Sequence, residues 1–491
     1  MIFPRFLDCV ARTPDKLALM TGRESLTYAG LQNRVEHAVA GLQALGVQPG
    51  DAVGVLLPNS IDFVVTCLAL FARGAVAIPV STRFQADEVG YYLHTGGAGF
   101  VIHASSTQPN LLAGVAGVTR VVMEELAAGE APPRMDAAET GPAGSAAALY
   151  MYSSGSTGKP KRITRTQAQL LAEYDALAAT VELTANDRIL CTVPLYHAHG
   201  FGNCMLAALL SGGTLVLTEG EFNPREAARL LDAERITIYP AVPFMLKMIG
   251  DAFYPARPDL SGVRLIFTAG APLPADTVRR MREVFAVTPA QLYGSTETGA
   301  VAINYDRADG TEESVGRPLV GITIDILDEA GQVAAMGEMG EIAVRSPAMT
   351  RCYDDLPEQT RESFQNSYFL PGDLGCKTQD GCIYIKGRKK LLINVAGNKV
   401  DPLDVEALIH THPAVTECVV LGCPDANYGE MVKAVIVTRG DCSEAEILDL
   451  CNRHLAWYKV PKRIEFRSEI PRSPLGKILR KYLQDELSEV K

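Results

Sequence analysis

The chain has a single tryptophan, eight histidines and 21% charged residues among 491, and it has no apolar run long enough to span a bilayer. A spanning helix needs about 18 to 20 consecutive apolar residues. The longest candidate, residues 63–80, is broken by Arg73, Gly74 and Pro79. Pro4 and Arg5 interrupt the first residues, so no signal peptide is expected and the cytoplasm is the expected compartment. There is no CxxC pair among the eleven cysteines, which run from Cys9 to Cys451. That argues against a disulfide framework or a zinc site. Cys418 and Cys423 come nearest to ligand spacing, but no second Cys or His pair stands beside them, and the set reads as buried free thiols. Internal repeats and low-complexity tracts are also missing. Net positive charge is absent too: the formal charge is −11, the wrong sign for a nucleic-acid or anionic-membrane partner.

What is present is a globular composition, 47% hydrophobic, in a chain long enough for two or more domains. Leu31, Val35, Ala38, Val39, Leu42 and Leu45 recur at helical spacing and Gly46 follows as a stop. Short apolar strands are expected at 52–57, 75–80, 188–193, 214–217, 237–239 and 264–268, with a helix at 61–73. This rhythm predicts an α/β fold with a largely parallel, buried sheet. After about residue 314 strands at 322–327, 341–345 and 382–386 alternate with turns, which predicts an antiparallel subdomain. The last hundred residues read as a separate small α+β unit, with helices at 405–410 and 444–455 and strands at 416–422 and 432–438. Between residues 459 and 481 eight basic side chains face only Glu465 and Glu469, so this basic stretch is expected to meet something anionic.

The strongest local signal is Tyr152-Ser153-Ser154-Gly155-Ser156-Thr157-Gly158-Lys159-Pro160-Lys161. Glycines let the backbone approach an anion, while hydroxyls and lysines add donors and charge. A Walker A loop is excluded, because only two residues separate Gly155 from Gly158 and Pro160 stands where Ser or Thr should follow the lysine. Five further segments follow in order: Pro194-Leu195-Tyr196-His197 with Gly200, Tyr293-Gly294-Ser295-Thr296-Glu297-Thr298, Gly372-Asp373, Gly387-Arg388-Lys389-Lys390, and Pro471 to Gly476-Lys477.

This co-linear set resembles the adenylate-forming superfamily, which comprises acyl- and aryl-CoA synthetases, firefly luciferase and the adenylation domains of peptide synthetases. It is closest to the acyl- and aryl-CoA ligases. The resemblance runs from about residue 25 to 481 and implies ATP-dependent activation of a carboxylic acid. The acid becomes an acyl-adenylate, pyrophosphate leaves, and the acyl group then passes to a thiol. Charge gathers on the α-phosphate during attack, so the chemistry needs cations and donors there rather than a nucleophilic side chain. The resemblance makes Lys477 the catalytic cation, Thr296 a donor to the α-phosphate and Glu297 the Mg2+ ligand. Tyr293 with Gly294 and Gly270-Ala271-Pro272 would receive the adenine, and Asp373 with Arg388 the ribose hydroxyls. It also implies domains at 1–389 and 390–491, with a hinge at Lys390 about which the mobile C-terminal domain turns between two half-reactions. His197, Phe201, Val242 and Pro243 would line the acyl pocket, with His197 placed to gate the thiol; His199 stays open between pocket and core. Gly397 would leave room for a pantetheine arm.

The segment 195–200 has no aspartate to pair an α-amine, which argues against an α-amino acid. Only Lys247 follows Val242-Pro243 closely, so a dicarboxylate is disfavoured. Coenzyme A is the favoured acceptor and the pantetheine of an acyl carrier protein the alternative; a luciferase-like oxygenase is the more distant one. Oligomeric state, monomer or homodimer, stays open. Two residues depart from the family pattern: Arg162, where a glycine usually follows the Pro-Lys, and Pro371, where a threonine often precedes the Gly-Asp.

Overall fold

The computed structural model describes residues 1–126, 144–153, 160–306, 311–396, 398–425, 428–472 and 478–485. The helical spacing that begins at Leu31 folds as Tyr28–Ala44, with Thr27 Oγ1 accepting from Gly30 N at 3.1 Å as its N-cap. Ile61–Arg73 forms as expected; Ser60 caps its start and Gly74, at φ 69°, closes it in the left-handed region. That helix is buried along most of its length, which explains why its sequence is apolar on nearly every face.

The chain divides into two compact units, residues 1–324 with 344–369 and 380–383, and residues 325–343 with 370–379 and 384–491. In the first unit, among the described residues, one sheet runs in spatial order Arg317–Pro318, Gly299–Ile303, Ala290–Ser295, Leu265–Thr268, Ile238–Ala241, Arg188–Cys191, Thr214–Leu217, Leu17–Met20 and Ser25–Thr27. Its central members pair in parallel. Leu190, Tyr239, Ala241 and Ile266 from the strands pack with Ala228, Leu246 and Met281 from the connecting helices into one buried cluster. A second sheet orders Thr119–Val122, Ala98–His103, Ala52–Leu56, Val76–Pro79, Ala147–Ser153 and Lys161–Thr166. Its last two strands are an antiparallel hairpin in which Ser153 faces Lys161.

The second unit builds on the long antiparallel pair Val415–Asp425 and Gly429–Thr438, with Arg463–Phe466 parallel to the latter. Helices Pro402–Ile409 and Glu444–His454 cover it, burying Val405, Ile409, Val420, Ala434, Ile436 and Ile447. The expected α/β architecture with a small α+β C-terminal part is therefore present. Four basic side chains of residues 459–481 have acidic partners. Lys459 pairs with Asp404 at 2.8 Å, Arg472 with Glu417 at 2.5 Å, Arg480 with Glu406 at 2.8 Å, and Arg467 with Glu465. All eleven cysteines are free, and eight are buried, Cys418 and Cys423 included, whereas Cys352 is exposed. Among the described residues no helix is long and apolar enough to cross a membrane.

Candidate active site

Four neighbouring parallel strands of the first unit deliver four of the sequence motifs to one edge of a sheet. Ala290–Ser295 runs into Thr296 and Glu297, Leu265–Thr268 into Gly270-Ala271-Pro272, Ile238–Ala241 into Val242-Pro243, and Arg188–Cys191 into Pro194–Gly200. The carboxyl ends of parallel strands are where open α/β sheets place their ligand sites. Gly270, Ala271 and Pro272 are exposed there, with Gly270 at φ 88°, and Tyr293 is half-buried.

The second sheet reaches the same place through its hairpin. Ser153 Oγ donates to Glu297 Oε1 at 3.4 Å, and the Tyr353 hydroxyl donates to the same oxygen at 2.9 Å. Lys161 Nζ stands 4.5 Å from the centroid of the Tyr353 ring. Glu297 is only 7% exposed, and no described residue donates to its Oε2. A buried carboxylate with one oxygen held and the other open is a fitting hard donor for Mg2+. Ser154, Gly155, Ser156, Thr157, Gly158 and Lys159 lie outside the described residues, so the stem of the expected phosphate loop is placed but not the loop itself.

The turn carrying Thr296 and Glu297 rests on an ion pair that sequence reading missed. Arg165 and Glu173, with side chains 1% and 6% exposed, meet at 2.8 Å. Arg165 Nη1 donates to the Thr296 carbonyl at 3.1 Å, and Glu173 Oε1 accepts from Ala300 N at 3.3 Å. Gly299, at φ 69°, has no room for a side chain, since a Cβ there would lie 2.2 Å from the Glu173 carboxyl carbon. The pair is eight residues apart across a strand-to-helix boundary, so no local spacing rule announces it.

The segment after Arg188–Cys191 is pinned by Asn59, another residue the motifs do not include. Its Oδ1 accepts from Leu195 N at 2.8 Å and its Nδ2 donates to the Val193 carbonyl at 3.0 Å. The glycine of this motif also has a steric reason: a Cβ on Gly200 would lie 2.3 Å from the Pro194 carbonyl oxygen. His199 is held in the core by two contacts. Its Nε2 donates to the Ala241 carbonyl at 2.9 Å and its Nδ1 accepts from Asn203 Nδ2 at 2.9 Å. That assignment follows because a carbonyl only accepts and a neutral imidazole carries one N–H. His197 lies against Tyr196 with the rings tilted by 43° and their centroids 4.4 Å apart. Phe201 is 1% exposed and packs edge-on against Phe63 and Phe71, so it sits behind the segment rather than on a surface. Val242 is buried and Pro243 opens the helix Pro243–Asp251.

Desolvation pushes both His197 and His199 down to about 4, with the neighbouring imidazole adding to the shift of His197. Both are neutral at pH 7. A folded-state value below the unfolded reference of about 6.5 gives stability that is full above that pH and is lost as pH falls towards 4. Each imidazole is worth on the order of 2–3 kcal/mol over that window. Urea midpoints should therefore fall between pH 6.5 and 4, and His199→Gln should flatten the slope. An equal slope in that variant would contradict this.

In the second unit Arg388 Nε donates to Asp373 Oδ1 at 2.6 Å, and Asp373 is 4% exposed. Gly372, at φ 78°, lets its carbonyl accept from Lys389 N at 2.8 Å, which brings the two motifs together. Lys390 lies in the short 3-10 turn Lys389–Leu391. Gly397 and Lys477 lie outside the described residues.

Comparison with known proteins places the chain among characterised relatives. Residues 6–354 match the model of an AMP-binding enzyme and residues 404–477 that of an AMP-binding enzyme C-terminal domain. The chain is 34% identical over 476 residues to a feruloyl-CoA synthase of an Amycolatopsis species, covering 95% of each. It is 30% identical over 473 residues to a long-chain-fatty-acid–CoA ligase of Mycobacterium tuberculosis, covering 94% of this chain and 93% of that one. The crystal structure of ATP-bound MatB from Rhodopseudomonas palustris superimposes with a TM-score of 0.91 at 28% identity, covering 100% of this chain and 99% of the other.

Proposed function

The chain belongs to the AMP-binding enzyme family as an AMP-forming acid–coenzyme A ligase of the adenylate-forming superfamily, and from that premise we propose that its acid is an acyl or aryl monocarboxylate without a second charged group. The observation that carries this reading is Lys247. It is the cation that closely follows Val242-Pro243, and its Nζ is ion-paired with Asp251 at 2.5 Å on an exposed helix face. A second carboxylate would have to displace that partner. The neutral His197 offers such a tail a polar edge without charge, whereas both ring nitrogens of His199 are already engaged.

In the proposed mechanism a carboxylate oxygen attacks the α-phosphorus of ATP, and the bond to the pyrophosphate oxygen breaks. Ser153, Ser154, Gly155, Ser156, Thr157, Gly158, Lys159 and Lys161 cradle the phosphates, and Thr296 donates to the α-phosphate. Glu297 would hold Mg2+, which when bound offsets phosphate charge. Tyr293 and Gly270-Ala271-Pro272 receive the adenine, while Asp373 and Arg388 take the ribose hydroxyls. Lys477 supplies the cation that attends the charge developing on the α-phosphate. The C-terminal domain then turns at Lys390, the thiolate passes Gly397 and attacks the acyl carbon, and AMP leaves.

ATP–pyrophosphate exchange over aryl, fatty, dicarboxylic and α-amino acids tests the acid class. Exchange should appear with one of the first two groups, and exchange confined to a dicarboxylate or an amino acid would overturn this choice. Offering coenzyme A beside a holo-carrier protein tests the acceptor: coenzyme A should be acylated faster, and preferential carrier loading would reverse the assignment.

A further inference from the structure

We infer that the turn at Tyr353 and Asp354 is a positioning clamp that sets the carboxylate of Glu297 in register with the stem of the glycine-rich hairpin. The inference rests on the reading of Glu297 and residues 153–161 as the ATP site, and it adds two residues that no motif contains.

Two adjacent side chains of one turn hold two different pieces of that site. Tyr353 holds Glu297: its hydroxyl donates to Oε1 at 2.9 Å, and Thr350 N, three residues earlier, donates to the Glu297 carbonyl at 2.7 Å. Asp354 holds the hairpin. Its Oδ2 accepts from Arg162 Nε at 3.0 Å and from Thr164 Oγ1 at 2.5 Å. Arg162 is further fixed by donating to the Thr95 carbonyl at 2.5 Å, by Asp355 at 3.6 Å, and by lying 4.9 Å from the centroid of the Tyr150 ring. Tyr91 donates to the Pro160 carbonyl at 2.8 Å, one residue before Lys161. The turn itself is anchored: Thr360 Oγ1 accepts from Tyr353 N at 3.0 Å, the Tyr353 ring packs edge-on against Phe364, and Asp355 takes a positive φ of 60°.

The physical consequence is a short rigid path. A carboxylate that binds a metal must present its open oxygen at a fixed distance from the phosphates, and a phosphate loop must not swing about its stem. Glu297 and Lys161 come from different sheets, so neither fixes the other directly. Tyr353 touches both, through its hydroxyl on Glu297 and its ring under the Lys161 ammonium. Asp354 ties the next residue of the same stem strand. Arg162, the departure from the family's glycine, is thereby a working part of this clamp. It braces the stem through Asp354 and the Thr95 carbonyl.

The test is calorimetric titration of MgATP into the full chain without acid, together with the Mg2+ dependence of pyrophosphate exchange. Tyr353→Phe keeps the ring and removes the donor. It should weaken MgATP binding about tenfold and raise the Mg2+ concentration for half-maximal exchange by a similar factor, with the KM for the acid unchanged. Asp354→Asn and Arg162→Ala should each weaken MgATP binding by about the same few-fold factor. Their double variant should add less than the product, as coupled residues do. Glu297→Gln separates the two levels. If it loses MgATP binding while Tyr353→Phe and Asp354→Asn titrate like the parent, the clamp is wrong and the site reading stands. If Glu297→Gln itself binds MgATP unchanged, the site reading fails and takes the clamp with it. An effect of Tyr353→Phe on thermal stability alone, with both Mg2+ and ATP responses unchanged, also overturns the inference.

Discussion

Lys477→Ala is expected to lower acid-dependent ATP–pyrophosphate exchange by at least about a hundredfold, the scale seen when one group that stabilises developing charge is removed. Thioester formation from preformed acyl-adenylate and coenzyme A should survive largely intact. The asymmetry follows from the chemistry of the two halves. In the first, negative charge builds on the α-phosphate oxygens while pyrophosphate departs, and an ammonium there lowers the barrier directly. In the second, the leaving group is AMP and the reacting centre is the acyl carbon, so a cation aimed at the phosphate has less to do. Single-turnover assays of each half-reaction measure the split. Equal impairment of both halves would contradict the proposed turn about Lys390, because one fixed arrangement would then serve both steps. Lys477→Arg is a useful companion, since it keeps the charge but changes its shape and reach.

Glu173→Ala should be the most destabilising single change near the site, at about 3–5 kcal/mol. It would strand the Arg165 guanidinium at 1% exposure, where Nε already has no described hydrogen-bond partner. The cost comes from an uncompensated buried charge rather than from the lost attraction. Replacing both partners by apolar residues, Arg165→Met with Glu173→Leu, should recover most of that stability for the same reason. It should not recover exchange activity, because Arg165 also holds the Thr296 carbonyl and Glu173 holds Ala300 N. Urea unfolding of the full chain reads the first effect and exchange reads the second. A Glu173→Ala variant within about 1 kcal/mol of the parent would show that the pair is solvated in solution and does not support the turn.

The elements most legible in the sequence were those with strong local signals. Residues 61–73 and 214–217 fold with the expected bounds, because a Ser cap and a following glycine bracket the first and turn residues bracket the second. Strand ends elsewhere shifted by one to three residues. The expected 237–239 is Ile238–Ala241, since pairing with Leu265–Thr268 fixes the register and carries the strand on through Pro240. Charge counted along the chain likewise cannot register that Asp404, Glu406 and Glu417 fold against the basic stretch.

The sequence by itself determined the family: the co-linear glycine-rich loop, Thr296-Glu297, Asp373, Arg388 and Lys477 resemble the adenylate-forming superfamily, and the chain belongs to it. The tertiary structure alone decided how part of that set is held. Parallel pairing lines up four strand ends from residues 188 to 295. Contacts across 56 to 192 residues make Arg165, Tyr353, Asp354 and Asn59 supporting groups. Such contacts leave no periodicity in the chain, since each is a single meeting of two side chains fixed only when the sheets have formed.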